Sequence, residues 1–569
     1  MKRIAFAVFV LLLVLPASAQ QPYIETFEVR LHNLDLVVTD RDGKPVSGLT
    51  KDDFVVLENG TAQEITNFAV VDEVEDRRSR LSPETSQAGQ AGLPVLQSTP
   101  RRFVFFLDEL SLHPASRGKL LKNAIALIRS SMRAGDTAAV VRPYGEKNVL
   151  LDFTSDQKAV EKALRGALEE SNTRVNTQMA GELRWLELQL ADSTTIQEKN
   201  FAVRIYSDIA RRRVEQRLGQ IRAISASLGA SEGKKVLVLV TASLAAHPGR
   251  EAFNLADIKM SSNPETDFSV PDKLPKYPDM TPQIADVARV AAANGVTIYA
   301  LQPDVPLELA NPGGASTRPT LTPLQIDPAR NTVRPLPPQH SLSDNFFGLI
   351  LDNTQITMET LTEKTGGKWY RGDGGVDDAF QQIGSDLRSY YSLAYRATGS
   401  EDTPQRVEVK VKGREGLQVR TRTEVLDKSQ SREMSDLVVA SLVYPRGVNE
   451  LGITARAGTL TKNRGRFNVP VETLIPMDKL TFLPSADGKY HAAFSVHYGA
   501  IGERADFSAT QERRQDITIS AEELKTLAGK QFHYSSDLIV ATGRVRIAVG
   551  VLDLTSRLSG FHNLEVQAR

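Results

Sequence analysis

Two short runs made only of apolar residues set the strongest limit on how this chain can fold. Phe103–Leu107 and Val236–Val240 have the composition of strands that are buried on both faces. A helical stripe of apolar residues, within Lys119–Met132, follows the first run, and further helical and strand patterns alternate after it. Alternating β and α segments with apolar strands predict a mainly parallel sheet covered by helices on both faces, and thus an α/β domain of Rossmann-like type.

The chain has 569 residues, too many for a single core, so we predict several domains. Alternating apolar and polar residues with turn motifs predict β structure on both sides of the α/β domain. The predicted units are an N-terminal β-strand unit at 20–75, a linker at 76–100, the α/β domain at 101–400, a β-hairpin at 401–428 that can join the N-terminal unit, and a C-terminal β-sandwich at 434–569 that includes a strand in "DLVVASLVY".

Three segments interrupt the regular pattern of the α/β domain. Residues from about 177 to 230 are almost continuously helical in pattern, which predicts an inserted helical hairpin, with a helix cap near Ala191–Thr195. Residues 246–283 and 303–345 are rich in proline and lack periodicity, so we expect long loops there.

The N-terminus has the layout of a secretory signal. Lys2 and Arg3 precede an apolar run, and Ala17–Ala19 supplies small residues for cleavage, so 1–19 is predicted to be a signal peptide. An uncleaved anchor is the rival interpretation, although the run is short for a membrane span. No other stretch is apolar enough to span a bilayer, so we expect an exported protein, periplasmic or extracellular, without a membrane span after cleavage.

Composition excludes several function classes. The chain has no cysteine, which rules out disulfides, thiol catalysis and thiolate metal sites. Lys plus Arg and Asp plus Glu number 69 each, so the chain lacks the basic footprint of a nucleic-acid binder. No H-E-x-x-H, Walker A or G-x-G-x-x-G motif is present. These exclusions favour a protein as the partner, without identifying it. They leave the oligomeric state open.

Four pieces in order resemble a von Willebrand factor type A domain: the apolar strand ending at Asp108, "LDFTSDQKAVEKAL", "KKVLVLVTAS" and "ADVARVAAANGVTIYALQP". The flanking stretches "VTDRDGKPVSGLTKDDFVVLENG" and "LTEKTGGKWYRG" resemble those of a family of exported bacterial proteins, von Willebrand A-related and abundant in acidobacteria. The resemblance covers about residues 24 to 425. It implies a Rossmann-like domain whose usual role is adhesion between proteins.

The resemblance also implies a metal-ion-dependent adhesion site, in which D-x-S-x-S, a loop Thr and T-D-G surround Mg²⁺ with oxygen ligands. Asp108 takes the first position here, but Leu110 and Leu112 replace the serines. In Thr241-Ala242-Ser243, Ala242 replaces the aspartate, and the loop threonine is either Thr173 or Thr177.

We therefore predict a degenerate metal site in which Asp108 accepts backbone N–H groups and caps its own loop. The predicted function is a non-enzymatic interaction or adhesion protein with no catalytic residue and no cofactor. Its predicted partner-binding rim consists of Asp108, Glu109, Ser111, Thr173, Thr177, Thr241 and Ser243.

Two alternatives stay open. In the first, Asp108, with Glu109 and Ser111, holds a divalent cation such as Mg²⁺ and recognises an acidic side chain of the partner. In the second, the chain is a hydrolase that uses Ser231 or an unrecognised pair of carboxylates. Ser231 lies in a G-x-S-x-G match, Gly229–Gly233, but a predicted helix precedes it and a strand follows, the reverse of a nucleophile elbow.

Overall fold

The structure is a computed structural model of the chain. It describes residues 31–72, 100–112, 114–143, 148–169, 185–186, 188–190, 192–229, 231, 233–253, 277–303, 324–327, 332–335, 342–443, 449–502, 508 and 510–569. The predicted signal peptide and nearly all of the predicted linker lie outside these residues, as do Thr173 and Thr177.

Four strands precede the central domain: β1 (Leu31–Thr39), β2 (Phe54–Glu58), β3 (Thr61–Gln63) and β4 (Ile65–Asp72), with a 3₁₀ turn at Lys51–Asp53. The central domain then contributes β5 (Arg102–Leu107), β6 (Thr137–Val141), β7 (Val149–Thr154), β8 (Lys235–Val240), β9 (Val296–Gln302), the hairpin β10 (Leu324–Asp327) and β11 (Thr332–Pro335), and β12 (Trp369–Arg371). Its helices are α1 (Pro114–Ser131), α2 (Gln157–Glu169), α3 (Ile196–Leu228), α4 (Thr281–Ala293), α5 (Leu342–Thr365) and α6 (Gly372–Arg388).

The central sheet has the order β12-β9-β8-β5-β6-β7. Counted within this sheet from the β7 edge, the order is 3-2-1-4-5-6, that of a doubly wound α/β domain. All neighbours are parallel except β6 and β7. The prediction of a mainly parallel sheet is therefore confirmed, with one antiparallel edge strand.

Helices cover both faces of this sheet. Apolar side chains of α1, α2 and α6 pack on one face with Phe103, Phe105 and Leu107 of β5. Those of α3, α4 and α5 pack on the other face with Val104 and Phe106. The alternate residues of one strand thus belong to two cores, which explains why Phe103–Leu107 has no polar member.

Helix α3 is longer and more deeply embedded than an inserted hairpin would be. It begins as predicted at a cap, where Thr195 and Glu198 form a capping box. However, Val214, Leu218 and Ile221 belong to the core beneath the sheet. The C-terminal half of the predicted insertion is therefore a covering helix of the α/β domain itself, and only its N-terminal half packs elsewhere, on a small separate cluster that includes Tyr206 and Phe253.

The strands before and after the α/β domain in sequence form one β-sandwich. Its later strands are β13 (Ser389–Arg396), β14 (Gln405–Val411), β15 (Gln418–Arg420) and β16 (Glu424–Val425). They complete two four-stranded sheets, β15-β1-β13-β4 and β16-β14-β2-β3, with Leu34, Leu36, Val56, Leu393 and Tyr395 in the shared core.

This sandwich corrects two predicted boundaries. The α/β domain ends at Arg388, not at 400, because β13 pairs on both sides with N-terminal strands. Residues 401–428 form the predicted hairpin only in part, because β14 pairs with β16 at Gln405–Val425 and Arg406–Glu424, whereas β15 between them pairs with β1 in the opposite sheet. The segment does join the N-terminal unit.

The C-terminal unit begins with a helix, α7 (Gln430–Val443), where a strand was predicted. Met434, Val438 and Leu442 recur at helical spacing and pack on the C-terminal sheet, so these apolar residues form the buried face of a helix. The remaining elements are β17 (Thr454–Ala457), β18 (Thr461–Asn463), β19 (Arg466–Pro476), a 3₁₀ turn at Met477–Lys479, β20 (Leu483–Pro484), β21 (Tyr490–Gly502), β22 (Gln511–Ile519), α8 (Ala521–Leu524), β23 (Gln531–Val540), β24 (Gly543–Asp553) and β25 (Ser559–Ala568). They form two antiparallel sheets around a common core, as predicted for a sandwich.

Candidate functional site

The candidate site lies where the parallel strands β5 and β8 end side by side. The Asp108 backbone N–H donates to the Val240 carbonyl, which places Asp108 next to Thr241. Asp108 and Thr241 are both fully buried. Carboxyl ends of strands in a doubly wound sheet are the usual place for a binding site, and the two polar residues meet there for that reason.

Hydroxyl groups tie the two strand ends together. The Thr241 hydroxyl donates to Asp108 Oδ2 over 2.6 Å. The Ser111 hydroxyl donates to the Asp108 carbonyl at 2.8 Å and accepts the Ala242 backbone N–H at 2.9 Å. Ser111 and Thr241 are thus committed to bonds inside the protein.

An arginine that the sequence analysis did not select completes the site. Arg217 of α3 places Nε 3.0 Å from Asp108 Oδ2, and both side chains are almost fully buried. Its Nη1 donates to the Ser243 carbonyl at 3.0 Å. A buried carboxylate needs a compensating charge, and here the guanidinium supplies it.

This arrangement corrects the predicted role of the Asp108 side chain. The loop after β5 is held by the backbone carbonyl of Asp108, which accepts the Ser111 N–H, and by Arg117, whose Nη2 donates to the carbonyls of Glu109 and Leu112. The Asp108 carboxylate itself accepts from Thr241 and pairs with Arg217. It is an ion-pair partner, and not the loop cap that we predicted.

Glu109 is the second carboxyl group of the site. It is 3% exposed, and Arg142 Nη1 lies 3.8 Å from its Oε1. Burial, with a smaller contribution from the neighbouring Asp108 charge, raises the pKa of Glu109 to about 7. Among the described residues, Asp108 Oδ1 and Glu109 Oε2 are buried and have no hydrogen-bond partner.

The predicted rim is therefore only partly a surface. Asp108, Glu109, Ser111 and Thr241 are buried, and Ser243 is half-buried. The first four therefore offer no exposed side chain to a partner: Asp108, Ser111 and Thr241 bond to one another across the strand ends, and Glu109 lies beside Arg142. Thr173 and Thr177 lie outside the described residues, so their place in the rim stays a prediction.

The donor set does not fit an octahedral Mg²⁺ site. Leu112 is packed in the core, and Ala242 contributes no side-chain oxygen. Asp108 Oδ2 already has the Thr241 hydroxyl and the Arg217 guanidinium beside it. No group of three or more His, Asp or Glu residues suited to a metal ion occurs in the part of the chain that the structure describes.

Ser231, the serine of the hydrolase alternative, lies at the other end of the sheet. It is in the turn between α3 and β8, where its backbone N–H bonds to the Leu228 carbonyl. A helix precedes and a strand follows it, so the order is the reverse of a nucleophile elbow. Ser231 and His32 both line a cleft at this end of the sheet, but among the described residues no hydrogen bond joins the two side chains.

Arg217 could have been found from the sequence. It lies between Val214 and Leu218 on the apolar stripe of α3, at helical spacing from Ile221. A lone charged residue on a buried helix face needs a partner of opposite charge. Asp108, the acidic residue at the end of a buried strand, was the available candidate.

Fold and site together define a class: a doubly wound α/β domain, set within a β-sandwich, with an internal carboxylate–arginine pair at the carboxyl ends of its strands. None of the helices in the described ranges is both long and apolar enough to cross a membrane. Neither the comparison with protein-family models nor that with curated proteins found a match.

Solved structures similar to the chain include an aerotolerance-related membrane protein from Bacteroides fragilis (11% identity, covering 51% of this chain and 98% of that one, TM-score 0.22). The vWF domain of the type V pili tip protein Mfa5 from Porphyromonas gingivalis is similar at 11% identity, 51% and 95% coverage and a TM-score of 0.23. Manganese-loaded TRAP protein from Plasmodium vivax is similar at 9% identity, 58% and 95% coverage and a TM-score of 0.20. Such scores are too low to carry an argument, so the α/β assignment depends on the strand order and the two cores.

Proposed function

We propose that this chain is an exported, non-enzymatic protein–protein interaction or adhesion protein. In this proposal its central unit is a von Willebrand A-like domain with a degenerate metal-ion-dependent adhesion site, and partner binding requires no metal ion. Export is inferred from residues 1–19, which lie outside the described residues.

The observation that carries the proposal is the 3.0 Å contact between Arg217 Nε and Asp108 Oδ2. A divalent cation at Asp108 would need several free oxygen ligands in octahedral positions. It would also have to displace a buried guanidinium that already neutralises the carboxylate. Leu110, Leu112 and Ala242, at three positions where the family pattern has oxygen ligands, offer none.

One observation favours the second candidate, a cation-dependent adhesion module that binds an acidic side chain of its partner. Asp108 Oδ1 and Glu109 Oε2 are adjacent in sequence, buried and without hydrogen-bond partners among the described residues. If Arg217 moved away, these oxygens could face a cation. The hydrolase alternative has no comparable support.

Calorimetric titration of the full chain with Mg²⁺ and Mn²⁺ separates the two candidates. We expect no saturable binding at micromolar concentration, and the same result for Asp108→Ala. Micromolar binding that disappears in Asp108→Ala would replace the proposal with the cation-dependent module.

Capture of partners from a native envelope fraction tests the interaction itself. The proposal predicts the same captured proteins with and without EDTA. Capture that EDTA abolishes and Mg²⁺ restores would contradict metal independence, and labelling of Ser231 by a serine-hydrolase probe would contradict the non-enzymatic assignment.

A further inference from the structure

A cleft of about 820 Å³ lies at the amino ends of the parallel strands, opposite Asp108. The start of β8, the turn after α4 and the strands β1, β4 and β13 of the N-terminal sandwich line it. Four cations line the cleft, Lys234, Lys235, Arg422 and Lys428, together with three carboxylates, Asp35, Asp427 and Glu433. Its position between two domains is typical of ligand sites.

Two of these cations have carboxylate partners. Lys234 Nζ lies 3.9 Å from Asp35 Oδ2 and 3.7 Å from the centre of the Tyr390 ring. Lys428 Nζ lies 2.6 Å from Asp436 Oδ2. These two charges are explained by the fold.

The other two cations have no carboxylate within ion-pair distance among the described residues. Lys235 Nζ donates to the Asn294 carbonyl at 3.1 Å. Arg422 Nη1 donates to the Ala292 carbonyl at 2.6 Å, and its Nη2 donates to the Asn33 carbonyl. The Ala292 and Asn294 carbonyls at the end of α4 and the Asn33 carbonyl of β1 hold the two cations in place. An ammonium has three N–H donors and a guanidinium five, so donors remain.

Lys235 and Arg422 border the same small space. A methyl group built on Gly295 would lie 3.9 Å from Lys235 Nζ and 4.0 Å from Arg422 Nη1. Burial, and after it the charge of Arg422, lowers the pKa of Lys235 to about 8. His32, 8% exposed and with no hydrogen-bond partner for Nε2 among the described residues, lines the same cleft.

We propose that this cleft binds an oxyanion, the carboxylate or phosphate group of a small ligand, between Lys235 and Arg422. Two neighbouring half-buried cations repel each other, and an anion placed between them would replace that repulsion with two charge-assisted hydrogen bonds. The site is separate from Asp108, so it goes beyond the proposed adhesion function and does not depend on it.

The test uses the full chain at pH 7 and fixed ionic strength, titrated in separate calorimetric experiments with inorganic phosphate and with succinate. We expect saturable binding of at least one anion, and affinity at least tenfold weaker in Lys235→Gln. Preference for phosphate or for succinate identifies the source of the oxyanion. Lys462→Gln, which removes an exposed lysine of the C-terminal sandwich, should bind like the unmodified chain.

Arg422→Gln should also lose affinity, but Arg422 connects β1 to the end of α4, so that variant can fail to fold. Lys235→Gln removes only the hydrogen bond to the Asn294 carbonyl among the described residues, so it is the decisive variant. Its circular dichroism is compared with that of the unmodified chain. Absence of saturable binding for both anions, or equal affinity in folded Lys235→Gln, would overturn the proposal.

Discussion

At the residue scale, the pair formed by Asp108 and Arg217 controls the stability of the site. Removing one member of a buried ion pair leaves an uncompensated charge and costs about 3–5 kcal/mol. We therefore expect Arg217→Met to lower the free energy of unfolding by about that amount in urea denaturation.

The matched control is Arg211→Met on the same helix, whose partners Asp208 and Glu215 are solvent-exposed or half-exposed. Surface pairs contribute about 0–1 kcal/mol. The double variant Asp108→Asn with Arg217→Met should recover part of the loss, since no buried charge is left alone. Equal effects of the two single arginine changes would show that the Asp108 pair is unimportant.

Glu109 gives the site a pH dependence of defined sign. Because burial raises its pKa from 4.5 to about 7, the folded chain keeps a proton that the unfolded chain releases. Its contribution to stability is therefore complete below about pH 4.5 and is lost as the pH rises toward 7. The loss is up to ~3 kcal/mol.

Glu109→Gln should remove this dependence. The variant should gain stability relative to the unmodified chain between pH 5 and pH 8, measured as the difference in urea midpoints across the series. A constant difference, or a gain that shrinks as the pH rises, would contradict the assigned burial of the carboxyl group.

At the element scale, the turn between α5 and β12 depends on a close backbone approach. A Cβ on Gly367 would lie 1.8 Å from the Ile298 carbonyl oxygen of β9, the strand that pairs with β12. Gly367→Ala should therefore push β12 from the sheet edge and destabilise the chain by about 1–3 kcal/mol. Gly374→Ala in α6, where a Cβ meets nothing within 4 Å, should be neutral or slightly stabilising by thermal unfolding.

The same scale shows what the sequence could and could not predict. Wholly apolar strands such as Phe103–Leu107 fixed the α/β pattern, because their burial depends on local composition. The stretch "DLVVASLVY" was predicted as a strand because Val438 and Val439 favour β structure locally, whereas packing of α7 on β21 and β24 makes it helical. The ion pair of Asp108 joins two elements 109 residues apart in sequence, which periodicity alone does not pair.

At the scale of the whole molecule, the unpredictable part was the interleaving of domains. The boundaries predicted from sequence assumed that each domain is one continuous segment of the chain. The strands β13 to β16 instead complete two sheets with the N-terminal strands β1 to β4. Strand β14 alternates buried and exposed residues, so it was recognisable as a strand. Its partner was not, because alternation specifies which face is buried and not which strand lies beside it.

That interleaving also sets the order in which the molecule can form. Leu31 pairs with Arg396 and Asp72 pairs with Ser389, so the N-terminal sheets lack their neighbours until more than three hundred further residues have been made. The two ends of the α/β domain lie together, because Arg101 Nη1 donates to the Leu387 carbonyl at 3.0 Å. Folding of this domain would therefore bring those distant strands together. Contacts of such long range are slow to form from an open chain. Folding of the inserted α/β domain therefore brings the strands of the surrounding sandwich into pairing distance, and we expect the sandwich to fold after the α/β domain.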